Sequence, residues 1–61
     1  MAMTLKALRV NAGLTQQEAA DALKVTPETI SNWERAKSFP TVPQIKEIEK
    51  LYSTSYADIQ F

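Results

Sequence analysis

Apolar residues recur every three or four positions along most of the chain, the spacing that aligns side chains on one face of a helix. In the first such segment, Leu5, Leu8 and Ala12 share a face. Thr4 precedes the segment and suits an N-terminal cap, and Gly13 supplies the left-handed residue that ends a helix. The pattern therefore predicts a first helix between Thr4 and Gly13.

Two short helices joined by a tight turn are predicted next. Thr15, with Glu18 three residues later, forms a capping box at the start of the second helix. The turn that ends this helix falls at Lys24 and Val25, and the valine side chain is expected to fill the core beneath it. Small and apolar residues form the inner face of the helix: Ala19, Ala20 and Leu23.

The third helix has the clearest start. Thr26 is a capping residue, and Pro27 occupies the first helical position, where its missing N–H costs nothing. Ile30 and Trp33 lie one turn apart, and we expect both to anchor the helix in the core. The helix is expected to end near Ala36.

Two more helices complete the predicted fold. Thr41 is expected to cap a fourth helix with Pro43 in its first turn, and a short fifth helix is expected to begin near Ser55. Five helices and no strand predict an all-α bundle. The apolar stripe of the fourth helix is Val42, Ile45, Ile48 and Leu51, and the inward residues of the fifth are Tyr56 and Ile59.

Composition limits the function classes that are open to the chain. It has 61 residues, no cysteine, no histidine and zero formal net charge, and we expect residues 1–61 to form one small domain. The lack of histidine, cysteine, a glycine-rich phosphate loop and paired carboxylates argues against an enzyme, a metal site or a cofactor. No apolar run reaches about 18 residues and no signal-peptide core is present, so we expect a cytoplasmic protein without a membrane span.

The polar residues of the third helix suit contacts to DNA. Asn32 has the amide that pairs with adenine, Glu28 has a carboxylate that accepts from the cytosine amino group, and Thr29 offers a methyl group to thymine. Zero net charge opposes this interpretation, because DNA-binding domains are usually basic. Donors for phosphate oxygens flank these residues: Gln16 before them, and Lys37 and Ser38 after them.

At these residues the chain resembles the Cro/C1-type (XRE) helix-turn-helix family of phage repressors and bacterial regulators. The combination of motifs at fixed spacing is specific, and the resemblance covers nearly the whole chain. It rests on Leu8-Arg9, Gly13-Leu14-Thr15-Gln16, Glu18-Ala19-Ala20, Val25, Ile30, Trp33-Glu34-Arg35, Pro40, the Ile45, Ile48 and Leu51 helix, and the segment from Ser55 to Ile59.

The resemblance implies a compact five-helix bundle of the lambda-repressor-like type, with the helix-turn-helix in helices two and three. It implies a Cro-like or repressor-like regulator that binds a double-stranded DNA operator as a homodimer, weak in solution, with half-sites about 34 Å apart. It also implies a semi-buried pair of Arg9 with Glu34. Base contacts are implied for Pro27, Glu28, Thr29 and Asn32. Phosphate contacts are expected for Gln16, Gln17, Ser31, Arg35, Lys37 and Ser38.

The chain departs from the family in ways that leave a second interpretation open. Members often have glycine where this chain has Lys24 and Ala36, and a lysine with positive φ costs on the order of 1 kcal/mol. Pro27 is limited to apolar contact with a base. A protein-interaction module of the same fold, antitoxin-like or anti-repressor, is therefore the alternative. Tyr52, Tyr56 and Phe61 are expected to pack in the core and at the chain end, with a dimer surface as their alternative role.

Overall fold

The computed structural model describes residues 2–61, and within them four α-helices account for most of the chain. The predicted domain, residues 1–61, therefore includes one residue that lies outside the described part. The helices are α1 (Leu5–Asn11), α2 (Gln16–Leu23), α3 (Pro27–Glu34) and α4 (Val42–Leu51). A 3₁₀ turn spans Tyr56–Asp58, and strand β1 (Met3–Thr4) pairs in parallel with β2 (Ile59–Gln60).

All four α-helices begin at a threonine cap, as predicted. Each threonine hydroxyl accepts a hydrogen bond from the backbone N–H three residues later, at 3.0–3.4 Å. The capping box of Thr15 and Glu18 is confirmed, because the Thr15 N–H also donates to the Glu18 carboxylate at 2.9 Å. Thr41 and Gln44 form a second such box. Local side-chain chemistry thus sets where each helix starts.

The four α-helices end in the same way, with a left-handed residue directly after the last turn. The next N–H then returns to a carbonyl inside the helix: Leu14 to Arg9 at 3.1 Å, for example, and Lys37 to Asn32 at 2.9 Å. The positive φ predicted for Lys24 is confirmed at 59°. The left-handed residues are Gly13, Lys24, Ala36 and Ser53.

The predicted fifth helix is wrong, and so is the prediction that the chain has no strand. From Ser55 onward there is only one 3₁₀ turn, which the Glu49 carboxylate fixes by accepting the Tyr56 N–H at 2.7 Å. Directly after it, Ile59 extends and pairs with Met3. A segment of a few residues is too short to sustain a helix by itself, so the tertiary pairing determines its conformation.

The core lies where α1, α2, α3 and α4 meet. Ala19 and Ala20 are fully buried and Trp33 is buried, so their predicted core roles are confirmed, and Val25 packs against the core from the turn. Three residues predicted to face inward are instead exposed: Ala12, which caps the C-terminus of α1, Val42 at the first position of α4, and Tyr56 in the 3₁₀ turn. The buried core residues are Leu5, Leu8, Ala19, Ala20, Ile30, Trp33, Ile48, Tyr52 and Ile59.

None of the helices in residues 2–61 has the length and hydropathy that crossing a bilayer requires.

Candidate nucleic-acid interface

A hydrogen bond in the turn and packing against the core hold α2 and α3 together. The Val25 N–H donates to the Ala20 carbonyl at 3.0 Å and closes the turn. Ile30 and Trp33 bury one face of α3, so the polar residues of α3 are left on its other faces. This arrangement presents the first two turns of α3 as a preformed surface.

The four residues expected to contact bases all lie on α3. Glu28 is exposed in the first turn, while Pro27, Thr29 and Asn32 are half-buried. The Thr29 hydroxyl lies 2.9 Å from the Thr26 hydroxyl and is therefore shared within the cap. No hydrogen bond joins the Asn32 amide to another residue in the described range 2–61. Glu28 and Asn32 consequently have the polar groups of this set that are best placed to meet a ligand.

Gln16 occupies the first position of α2, where the backbone N–H groups have no partner within the helix. Its side-chain Nε2 donates to Glu34 Oε1 at 3.2 Å. Because an amide has two N–H donors, this contact leaves one for a phosphate oxygen and fixes the plane of the group. The neighbouring Gln17 is exposed, and its amide donates to Asp21 at 2.9 Å along the same helix.

The remaining phosphate candidates gather at the C-terminal end of α3. Arg35 caps that helix, and the backbone N–H groups of Lys37 and Ser38 both donate to the Asn32 carbonyl, at 2.9 and 3.4 Å. Their side chains and that of Arg35 are exposed, whereas Ser31 is half-buried. Since Gln16 touches Glu34, the start of α2 adjoins the end of α3, and the two groups of phosphate candidates are neighbours.

Arg9 and Glu34 form the pair that the family resemblance implied. Arg9 Nε lies 2.6 Å from Glu34 Oε2, and the two side chains are only 10% and 5% exposed. Arg9 also donates to the Leu14 carbonyl at 2.9 Å, so the guanidinium joins α1 to the start of the next segment. The hydrogen bond to Glu34 raises the pKa of Arg9 against the opposing effect of its burial. Arg9 is therefore a structural cation and is not available to DNA.

The exposed charge around the interface is balanced. Between residues 16 and 38 the sequence has four acidic and three basic residues. Glu34 is neutralised by Arg9, so three acidic and three basic side chains remain exposed. The acidic residues are Glu18, Asp21 and Glu28, and the basic ones are Lys24, Arg35 and Lys37.

Sequence reasoning missed two features of this surface. Lys24 is exposed in the turn directly before α3, so it adds a cation at the end of the helix opposite Arg35. The hydrogen bond from Gln16 to Glu34 joins residues 18 positions apart, and no local pattern signals it. The pattern predicts the turn at Lys24 and Val25 and a positive φ for Lys24, but it gives this lysine no role as a cation of the interface.

Comparison with known proteins supports the same family. A helix-turn-helix family model matches residues 5–59. The chain is 34% identical over 55 residues to the HTH-type transcriptional activator BcrR of Enterococcus faecalis. That alignment covers 90% of this chain and 27% of the relative, so the chain spans about a quarter of that protein's length. No solved structure matches the chain.

Proposed function

The chain belongs to the helix-turn-helix family of the Cro/C1 (XRE) type, and from that premise we propose that it is a sequence-specific, Cro-like or repressor-like regulator of transcription. In this proposal α3 enters the major groove and α2 lies across the backbone. The observation that carries it is the first two turns of α3, polar and unobstructed on one side and anchored by Ile30 and Trp33 on the other.

Sequence is read in this proposal by a small set of side chains. Asn32 makes the bidentate contact to an adenine, and Glu28 accepts from a cytosine amino group. Thr29 and Pro27 contribute apolar contact, since the Thr29 hydroxyl is already shared with Thr26. Few polar groups carry the discrimination, so one half-site has limited information.

Phosphate contacts set the register of the domain on the duplex. Gln16 contributes its second amide N–H, beside the N-terminal N–H groups of α2. Arg35 and Lys37 supply charge at the end of α3. Gln17, Ser31 and Ser38 complete the proposed set with uncharged donors.

Two copies on a two-fold operator follow from this small reading set. Each copy of domain 1–61 reads one half-site. Pairing of two copies doubles both the length of sequence that is read and the number of phosphates that are contacted. The relative is described as an activator. The proposal therefore covers regulation of either sign, with the promoter geometry deciding the outcome.

The test is selection of bound sites from a random DNA library, followed by titration of the selected duplex and of single-base variants. Asn32→Ala should relax specificity at one base step and cost about 1–3 kcal/mol there. Lys37→Ala should weaken all sequences alike and reduce the salt slope by roughly one. Lys50→Ala, on the exposed side of α4, is the matched control and should change neither. Identical behaviour of Asn32→Ala and Lys37→Ala across the variants would contradict the assigned roles.

The balanced exposed charge of the interface favours a second candidate. A protein-interaction module of the same fold, antitoxin-like or anti-repressor, needs no excess of cations. The two functions separate at low ionic strength, where a DNA-binding domain shows its strongest binding. If the protein causes no salt-dependent electrophoretic mobility shift of selected or random duplexes under those conditions, the interaction module is favoured.

A further inference from the structure

Three neighbouring side chains on the outer surface of α3 offer three different chemical groups. Glu28 and Asn32 are four positions apart and Thr29 and Asn32 are three apart, so each pair has its Cβ atoms about 5–6 Å from each other. Glu28 has a carboxylate, which accepts hydrogen bonds, and Asn32 has an amide, which both donates and accepts them. Adjacent base pairs are about 3.4 Å apart, so in a major groove the three side chains meet the same base pair or two adjacent ones.

The Thr29 side chain presents its methyl group to a ligand. Its hydroxyl lies 2.9 Å from the Thr26 hydroxyl, and the Thr29 N–H donates to that same Thr26 oxygen at 3.2 Å. The hydroxyl and the methyl group leave Cβ in different, staggered directions. Because the hydroxyl is held at the start of the helix, the methyl group is the part of Thr29 that remains for contact. Thr29 is thus an apolar contact beside two polar ones.

α3 has little freedom to move away from a base that carries an extra group. Ile30 and Trp33 bury its inner face, and Glu34 at its last position pairs with Arg9 at 2.6 Å. The Asn32 carbonyl also accepts two N–H groups from the segment after the helix, at 2.9 and 3.4 Å. An added methyl group on a contacted base therefore meets a fixed surface, and a close-packed surface responds to a change of a single methyl group.

The place where a base is methylated decides which hydrogen bonds it offers. Adenine N6 and cytosine N4 each present a donor in the major groove while the other hydrogen of the amino group serves base pairing. A methyl group on that nitrogen must replace the groove-facing hydrogen if the pairing is kept. A methyl group on C5 of cytosine leaves the donor in place and adds apolar surface beside it, as the C5 methyl group of thymine does.

We propose that this interface reads the methylation state of its operator and separates methyl groups on exocyclic nitrogen from methyl groups on C5. This discrimination rests on the proposed function, because it extends the base contacts of Asn32 and Glu28. N6-methyladenine and N4-methylcytosine are rejected, since each leaves a polar side chain facing a methyl group. 5-Methylcytosine is preferred to cytosine, since its methyl group meets that of Thr29. A methyltransferase that modifies amino groups in the operator thus releases the protein, whereas one that modifies C5 retains it.

The experiment is a modification scan of the selected half-site. Each adenine is replaced in turn by N6-methyladenine, and each cytosine by N4-methylcytosine or 5-methylcytosine, and each duplex is titrated. For wild type, N6-methylation of one adenine should lower the affinity by about 5- to 150-fold, the value of a good bidentate contact. N4-methylation of one cytosine should also lower the affinity. C5-methylation of that cytosine should raise the affinity about fourfold, the value of one buried methyl group.

Variants assign these responses to individual side chains. Asn32→Ala should bind unmodified and N6-methylated duplexes alike, and Glu28→Ala should bind cytosine and N4-methylcytosine duplexes alike. Thr29→Ser keeps the hydroxyl beside Thr26 and removes only the methyl group, so it should lose the gain from 5-methylcytosine. Lys50→Ala, on the exposed side of α4, is the matched control and should keep every response of wild type. Circular dichroism of each variant checks that it folds.

The outcomes separate this proposal from the proposed function. If unmodified duplexes bind and wild type has full affinity for every N-methylated duplex, the discrimination is absent and the proposed function stands. A response of Asn32→Ala to N6-methyladenine as large as that of wild type also overturns the proposal. Equal affinity for cytosine and 5-methylcytosine at every position overturns the role of Thr29. If wild type binds no unmodified duplex, the proposed function fails and the discrimination fails with it.

Discussion

At the residue scale, Glu34 is the carboxylate at which three helices meet. From α3 it accepts hydrogen bonds from Arg9 on α1, at 2.6 and 3.3 Å, and from Gln16 on α2, at 3.2 Å. Because this side chain is only 5% exposed, water competes little with these contacts. Glu34 therefore both closes the fold and orients the amide that we propose for phosphate contact.

Removing one member of the Arg9–Glu34 pair should be costly. Glu34→Ala leaves a nearly buried guanidinium without its partner, and we expect a loss of about 3–5 kcal/mol in the free energy of unfolding. The double variant Arg9→Met, Glu34→Leu replaces both charges with apolar groups and should recover most of that loss. Urea unfolding of Glu34→Ala, of the single variants Arg9→Met and Glu34→Leu, and of the double variant measures the coupling. A cost for Glu34→Ala below about 1 kcal/mol, typical of surface pairs, would contradict this account.

Tyr52 gives the domain a pH dependence at the alkaline end. Burial, and then the nearby negative charge of Glu34, raise the pKa of Tyr52 to about 12 from the model-compound value of 10.0, with Arg9 acting in the opposite direction. The folded state thus holds this proton more tightly than the unfolded chain does. Its contribution to stability is complete below about pH 10 and is lost as the pH rises toward about 12.

Tyr52→Phe isolates this effect, because it removes the hydroxyl and keeps the ring. Up to about pH 10, the free energies of unfolding of wild type and Tyr52→Phe should differ by a constant amount. Above that pH, the free energy of unfolding of wild type should fall relative to that of the variant. Denaturant melts at intervals from neutral to strongly alkaline pH provide the measurement. A constant difference over the whole range would show that burial of the hydroxyl does not shift its ionisation.

At the element scale, the ends of the helices store strain. Three of the four left-handed positions are occupied by residues with a Cβ: Lys24, Ala36 and Ser53. Each costs roughly 1–2 kcal/mol relative to a right-handed conformation, a cost that glycine avoids. The chain has only one glycine, at position 13, where φ is 75°. Glycine at these helix ends should therefore stabilise the domain.

The same substitution should have opposite effects at two exposed alanines. Ala36→Gly should stabilise the domain by about 1 kcal/mol, because φ is 58° there. Ala22→Gly, inside α2 with ordinary helical geometry, should destabilise it by a similar amount. For a domain of this size, 1 kcal/mol moves the melting temperature by about 4–8 °C. Equal shifts of the same sign in the two thermal melts would show that backbone conformation does not determine the effect.

The elements that were predictable from the sequence are those whose determinants lie within a few residues of each other. Thr15 and Glu18 set the start of α2 by themselves, and Thr26 with Pro27 does the same for α3. The pairing of Met3 with Ile59 depends on closure of the whole chain, so the pattern near Ser55 favoured a helix that does not form. The candidate site divides in the same way: the pattern predicts that the polar residues of α3 lie outside the core, and it does not predict the tertiary contact of Gln16 with Glu34.

At the scale of the whole molecule, zero net charge makes the arrangement of cations decisive. The interface has exposed cations at both ends of α3, Lys24 before it and Arg35 and Lys37 after it. The other exposed basic residues lie on α1 and α4. Non-specific attraction to DNA is weak with so few cations, so under the proposed function occupancy depends on the proposed base contacts and on the proposed pairing of two copies.

The salt dependence of binding measures how many of these cations meet phosphates. With three contacts per copy, the slope of log Kobs against log salt should be about −3 for a single half-site and about −6 for a pair. Lys24→Asn removes one charge while keeping a residue that tolerates positive φ, so it should reduce the single-site slope by about one. Lys50→Ala is the matched control and should leave the single-site slope unchanged. Lys50 lies on α4, and its exposed amine is 3.9 Å from the Glu47 carboxylate. An unchanged slope for Lys24→Asn would confine the charged contacts to the C-terminal end of α3, and a slope near zero for wild type would remove phosphate contact from the mechanism altogether.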